Sequence, residues 1–406
     1  MNTNKIMFVS VALAITLGSF GTVTQAQNNS EEGQARQKAV RVQSIRQRLI
    51  KDFEALAEFV ELENHAEATA ILNELAADPD LNNIEKAYVA NFRGNICFST
   101  DDLDCAIREF KKILITPDGI PPAFYNQMYY VVAQVYFSQE DYRNALDYAQ
   151  QWFTTQEAPP ADAYMLVGQA QYMLQNFDAA LPNVIKGIQM YEELGSIPKE
   201  GWLNLLSGIY RQKDDYRNML PVLKKLAIHY PKKTYLQAMA GIYNELEDQP
   251  KMSALYLAMY DYGLITSESE IVTLASLLLG QESAFKASEV LGKGFDDGVL
   301  EKNLRNYQLY SQSLYIAKEH EKAIAPMGQA AKLAEDGKLY IQLGQSLMAL
   351  NRWSEAETAL DQGIKKGKLT NTGRAVMSLG SVQFEQQKYE TAKATFNRAL
   401  RYDDMA

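Results

Sequence analysis

Cysteine and histidine are nearly absent, with two and three residues in a chain of 406. The histidines, His65, His229 and His320, lie far apart in sequence, which excludes a shared metal site with the usual close ligand spacing. No glycine-rich phosphate loop, HExxH zinc motif or GxSxG nucleophile elbow occurs. Carboxylates are plentiful but spread over helix exteriors, which reads as a solvated face. No catalytic residue, cofactor or metal is therefore expected, and the chain does not read as an enzyme. Positive charge is in deficit, with 40 Lys and Arg against 50 Asp and Glu. That excludes nucleic-acid binding, whose affinity rests on lysine and arginine meeting phosphates. Beyond the first residues, no apolar run is long enough to span a bilayer.

What is present begins with a distinct leader. Residues 1–26 hold one lysine, Lys5, an apolar stretch from Ile6 to Leu17, and small residues leading to Thr24-Gln25-Ala26. This is the pattern of a cleavable secretory signal, and the apolar stretch is too short for a membrane anchor. Cleavage after Ala26 leaves 39 basic against 50 acidic residues, a net charge of −11. The expected organisation is a signal peptide at 1–26, a basic, partly helical extension at 27–48, a helical array at 49–402 and a tail at 403–406. The first helix is expected to begin near Ala35.

The stretch "LYIQLGQSLMALNRWSEAETAL", 339–360, sets Gly344 in a helical run and Ala356 twelve residues later across a polar turn. The pattern recurs every 33 to 39 residues, as two helices per unit. With the small residue of the first helix as position 8, the series is Leu56, Gly94, Ala133, Gly168, Ser207, Ala240, Ala275, Ser311, Gly344 and Gly380. Position 20, in the second helix, is Ala68, Ala106, Ala145, Ala180, Met219, Met252, Ala287, Ala323, Ala356 and Ala392. Position 17 is aromatic at Tyr142, Phe177, Tyr216, Trp353 and Tyr389; His65 and His320 take the same position and read as packing. Two antiparallel helices approach closely only where their facing side chains are small. Each hairpin leaves an apolar face that the next one covers. Met219 and Met252 depart from the rule and predict local widening, and the turn "NELEDQPKMS", 244–253, reads as longer than its neighbours. The loops "TPDGIPPAF", "TQEAPPAD" and "ELGSIPKEG" read as joints within one array.

This pattern resembles the tetratricopeptide repeat over nearly all of residues 49–402. The resemblance implies an all-α fold, a right-handed α-α superhelix of about ten helical hairpins. It also implies that the first helices line a concave face that binds peptides or helices of other proteins. Carried over by position, that face includes Tyr88, Asn91, Asn95, Gln127, Tyr130, Gln134, Phe137, Gln169, Tyr172, Asn204 and Arg211. Amides suit the backbone of an extended peptide, and tyrosine offers area at modest entropy cost. One subgroup holds a terminal carboxylate with lysine and asparagine at positions 5 and 9; here Asn91 and Asn95 stand there without the lysine.

The stretches "YNQMYYVVAQVYFSQEDYRNAL", "PADAYMLVGQAQYML" and "PKEGWLNLLSGIYRQ" look like exported repeat proteins that accompany TonB-ExbB-ExbD type energy-transduction systems of Gram-negative bacteria. That resemblance implies a periplasmic accessory scaffold with an envelope protein or peptide as partner, and no stable membrane insertion after signal cleavage. The alternative is a helical array that binds or processes a glycan or peptidoglycan fragment.

Two further features carry paired readings. "CFSTDDLDC" places Cys97 near the end of a first helix and Cys105 near the start of its partner, so the turn brings them toward bonding range. They are either a disulfide stapling the hairpin in an oxidising compartment or two separate buried thiols. The segment 36–51, "RQKAVRVQSIRQRLIK", has six basic and no acidic residues. It is either a contact for an anionic surface or a solvated face balancing the acidic remainder.

Overall fold

The computed structural model describes residues 43–402. The expected signal peptide, most of the basic extension and the tail 403–406 lie outside the described residues. Among those described there are twenty α-helices, a short 3-10 turn at Gln47–Leu49 and no strand, consistent with the α-α array expected. They divide into two compact units between Tyr230 and Pro231.

The first unit holds five hairpins. They are α1 (Ile50–Glu61) with α2 (His65–Ala76), and α3 (Asn83–Ser99) with α4 (Leu103–Ile115). Then come α5 (Pro122–Ser138) with α6 (Tyr142–Phe153), α7 (Ala161–Met173) with α8 (Phe177–Glu193), and α9 (Glu200–Gln212) with α10 (Tyr216–His229). The second unit also holds five. It begins with α11 (Lys233–Glu245) and α12 (Gln249–Asp261), then α13 (Glu268–Gly280) and α14 (Ala284–Asp296). The rest are α15 (Leu304–Ile316) with α16 (His320–Leu333), α17 (Lys338–Ala349) with α18 (Trp353–Lys366), and α19 (Thr372–Glu385) with α20 (Tyr389–Ala399). Within each unit the second helix of a hairpin packs on the first helix of the next.

A common turn gives every hairpin the same geometry. Three residues join the two helices each time, and the middle one is left-handed. Those residues are Glu63, Asp101, Glu140, Gln175, Asp214, Glu247, Glu282, Lys318, Asn351 and Gln387, with φ from 51° to 65°. None is glycine. The geometry is imposed by backbone bonds: Asp141 N–H donates to Tyr136 C=O and Arg352 N–H to Leu347 C=O, both at 2.9 Å. The left-handed residue donates three back, as Glu140 does to Phe137 at 3.0 Å. This closure satisfies carbonyls that the end of a helix leaves free. The "NELEDQPKMS" turn is therefore no longer than the others, because Pro250 sits in the first turn of α12, where no backbone donor is needed. A left-handed L-residue is strained by roughly 1–2 kcal/mol. Lys318→Gly, at an exposed turn, is expected to stabilise the second unit by about 0.5–1 kcal/mol in urea unfolding. A loss of stability would show that the turn is not strained.

The close approach predicted at positions 8 and 20 is present, with one refinement. The position-20 alanines are at most 1% exposed, from Ala68 to Ala392. The side chain that crowds each glycine, however, comes from position 24. A Cβ on Gly344 would lie 2.6 Å from Leu360, on Gly94 2.5 Å from the Phe110 ring, and on Gly380 2.5 Å from the Phe396 ring. At α12 the register moves by one: Met252 is only half-buried and the small Ser253, 2% exposed, takes the inner position.

From Gln43 the chain enters the array as an extended strap, so no helix runs unbroken into α1; the expected helix start near Ala35 lies outside the described residues. Arg46 has φ −68° and ψ 137°, and α1 starts at Ile50. Glu85 holds it there. That carboxylate is fully buried, forms a capping box with Asn82, and accepts Arg46 N–H at 2.8 Å, Nε at 2.9 Å and Nη2 at 2.8 Å. Gln43 extends the strap, its N–H bonded to Gly119 C=O at 2.9 Å and its Oε1 accepting Asn83 N–H at 2.8 Å.

Candidate partner-binding site

The expected contact residues all lie on α3, α5, α7 and α9, in the first unit. Burial separates them into two groups. Tyr130 is 5% exposed and stacks on Trp152 with ring centroids 4.6 Å apart, and Asn91 is 9% exposed. Both hold the stack and offer almost no surface, which corrects the expectation for them. Tyr88 lies between Phe53 and Phe124, at 5.8 and 5.2 Å. Phe137 packs on Tyr142 at 5.2 Å and Tyr172 on Phe177 at 5.5 Å. These last two occupy position 12, whose ring closes the mouth of its own hairpin against position 17. Gln127, Gln134, Gln169 and Asn95 are half-buried, while Asn204 and Arg211 are exposed. Tyr88, Phe137 and Tyr172 are half-buried too, so the accessible part of the face is both polar and aromatic.

Cys97 and Cys105 are joined by a disulfide, with their Cα atoms 5.7 Å apart. The bridge spans the α3–α4 turn, where Asp102 N–H also bonds Cys97 C=O at 2.8 Å and Asp102 caps Cys105 N–H at 3.0 Å. It braces a turn that the backbone already closes. Of the basic segment, Arg46 and Arg48 are engaged within the chain, Arg46 on Glu85 and Asp78 and Arg48 on Asp78. That favours the structural reading for these two; Arg36, Lys38 and Arg41 lie outside the described residues. His320 packs edge-on to Tyr315 at 4.8 Å, and His65 Nε2 lies 3.3 Å from Ser99 Oγ. No helix among the described residues is long and apolar enough to cross a membrane.

A second surface, absent from the sequence expectation, lies in the second unit. A cleft of about 400 Å³ opens between α11, α12, α13 and the start of α15. Its apolar lining is Met252, Val272 and Leu277, and its polar lining includes Asn244, Gln249, Thr273, Ser276, Gln281 and Arg305. The missing signal was at positions 12 and 17. Phe137–Tyr142, Tyr172–Phe177, Tyr315–His320 and Phe384–Tyr389 plug their hairpin mouths with rings, but here the pair is Asn244 and Gln249.

Above the α11 helix start, Glu270 gathers charge and hydrogen bonds. Lys233 Nζ lies 2.7 Å away, Gln237 Nε2 at 3.0 Å, and the Ser267 hydroxyl at 2.9 Å. Burial alone would raise its pKa, but Lys233, Ser267, the Thr266 amide and Gln237 outweigh it and hold the carboxyl at about 2. Because the folded pKa is depressed, the stabilisation is complete above the ordinary carboxylate value and is lost as pH falls toward 2. Glu270→Gln is expected to cost about 2 kcal/mol at pH 7 and progressively less on acidification from pH 4.5, measured by urea unfolding. A cost independent of pH would refute the charged role.

Comparison with known proteins bears on the array itself. A tetratricopeptide repeat family model matches residues 130–188 and 341–405, one stretch in each unit, and so supports the tetratricopeptide reading. No curated protein sequence matches the chain. Among solved structures, the TPR2AB domain of yeast Sti1 in a pHSP90 complex is 11% identical, with 68% of this chain and 98% of that one covered and a TM-score of 0.34. YrrB, described as a TPR protein with an unusual peptide-binding site, is 15% identical over 47% of this chain and 91% of its own, with a TM-score of 0.37. A tetratricopeptide repeat protein from Parabacteroides merdae is 12% identical over 68% and 99%, with a TM-score of 0.32. At such scores these likenesses add nothing to what the helices already show.

Proposed function

We propose that this protein is an exported, periplasmic scaffold that holds an envelope protein or peptide, as an accessory to a TonB-type uptake system. The observation that carries the scaffold part is the row of accessible amides on successive first helices: Gln127 and Gln134 on α5, Gln169 on α7 and Asn204 on α9. Amides at that recurrence match the alternating donors and acceptors of an extended chain. The leader at 1–26 and a disulfide suited to an oxidising compartment support export. The TonB association rests on sequence resemblance alone.

Photo-crosslinking in intact cells tests this reading. Photoreactive residues at Gln134 and Gln169 are expected to capture the same envelope protein, and one at the exposed Gln151 on α6 is expected to capture none. Capture of no protein at either first-helix position, together with measurable binding of peptidoglycan fragments, would replace the scaffold by the glycan-binding alternative. Co-purification of the captured protein with TonB-system components tests the narrower association.

A further inference from the structure

We propose that the cleft of the second unit is a pocket for an extended peptide presenting an acidic side chain beside an apolar one. The proposal rests on the scaffold reading and names a partner chemistry that the amide row of the first unit does not.

Two substitutions coincide in the hairpin that bears the cleft. Position 20 is Met252, with the small residue displaced to Ser253, and the ring pair of positions 12 and 17 is replaced by Asn244 and Gln249. Where both positions are aromatic or histidine the two rings pack on each other, as Phe137 does on Tyr142; here two amides stand in their place. At about 400 Å³ the space suits one large side chain with its flanking backbone, not a whole helix.

The lining selects the occupant. Met252 and Leu277 give the lining an apolar and, through methionine, adaptable part. Thr273 and Ser276 already donate their hydroxyl protons to Ser269 C=O and Val272 C=O, both at 2.8 Å, so their oxygens remain as acceptors for peptide N–H groups. Asn244 and Gln249 supply amide donors and acceptors at the rim. Arg305 is the only charged residue of the lining, is exposed, and has no ion-pair partner among the described residues. In a chain of net charge −10, a cleft with one free cation and no carboxylate among its described lining residues is complementary to an acid. A lone guanidinium without a supporting lysine fits a side-chain carboxylate next to the buried apolar residue.

The test uses the full chain and arrayed twelve-residue peptides, amidated at the C-terminus, with a central Leu-Glu, Leu-Gln or Leu-Lys pair among randomised neighbours. Leu-Glu peptides are expected to be retained about ten-fold better than Leu-Lys peptides, with Leu-Gln between. Arg305→Glu reverses the preference toward Leu-Lys. The double change Asn244→Phe with Gln249→Tyr refills the mouth and lowers Leu-Glu retention by about ten-fold. Lys186→Glu, an exposed charge change in the first unit, leaves retention as it was. Equal retention of the three sets, retention that requires a free C-terminal carboxylate, or a preference that survives Arg305→Glu would each overturn the proposal. Should the double variant misfold, the charge reversal decides alone, because Arg305 is exposed and no ion pair is broken by changing it. Crosslinks at Gln134 and Gln169 without any peptide preference in the second unit would refute the pocket and leave the scaffold standing.

Discussion

Glu85→Ala is expected to destabilise the first unit by about 2–3 kcal/mol, the cost of leaving backbone amides without their acceptor beside a partly exposed ion pair. The carboxylate is fully buried and serves four donors: Arg46 N–H, Nε and Nη2, and Asn82 N–H at 2.9 Å. Burial pushes its pKa up, but the Arg46 side chain and amide and the Asn82 amide outweigh that and hold it below the ordinary carboxylate range. Removing it leaves the Arg46 and Asn82 backbone amides without their acceptor and the Arg46 guanidinium with Asp78 alone. It also removes the reciprocal half of the capping box at the start of α3. The measurement is urea unfolding followed at Trp152 and Trp202, which lie in the first unit, with Trp353 as reporter of the second. A loss below about 1 kcal/mol at the first-unit reporters would mean that the strap is a surface decoration.

The same contact has a functional consequence. Arg46, Gln43 and the Ser44 carbonyl, which accepts from Asn82 Nδ2 at 3.0 Å, cover the start of α3 and reach the loop before α5. The strap ties the start of α3 to that loop, so α3 and α5 are fixed relative to each other before any partner arrives. Preorganisation of this kind lowers the entropy that binding must overcome.

The hairpins could be read from the sequence because close helix approach is a demand on single residue types. Nothing larger than Gly94, Gly344 or Gly380 fits beneath Phe110, Leu360 or Phe396. The left-handed turn residues could not be read, since ordinary residues such as Glu140 and Lys318 are forced there by backbone bonds and leave no compositional trace. Helical period places Tyr130 and Asn91 on first helices, but whether a residue there is covered depends on the bulk packed against it, for Tyr130 the Trp152 ring of its own hairpin's second helix. The strap escaped for a similar reason: Arg46 and Glu85 are 39 residues apart, and Arg46 precedes the first hairpin. The second-unit cleft did leave a signal, in the amides Asn244 and Gln249 where rings recur, legible only once positions 12 and 17 are known to touch.

The spacing rule is most directly tested by two glycines of the second unit that the fold treats in opposite ways. Gly344→Ala would place a methyl 2.6 Å from Leu360 Cγ and 3.4 Å from Ala356 C=O. Leu360 is fully buried and cannot swing aside, so the helices must part or strain. The expected loss is about 1–3 kcal/mol, the usual range for overpacking a tight core. Gly241 lies inside α11 with nothing within 4 Å of where a methyl would stand, so Gly241→Ala meets no obstacle. It is expected to gain about 0.5–1 kcal/mol from helix propensity and reduced freedom of the unfolded chain. Both changes add the same single carbon, in the same unit, to helices of similar length, so propensity alone predicts that both stabilise. Unfolding monitored at Trp353 separates the accounts: opposite signs uphold close approach as the reason for the glycine, and a gain at both positions would leave the repeat without its physical cause.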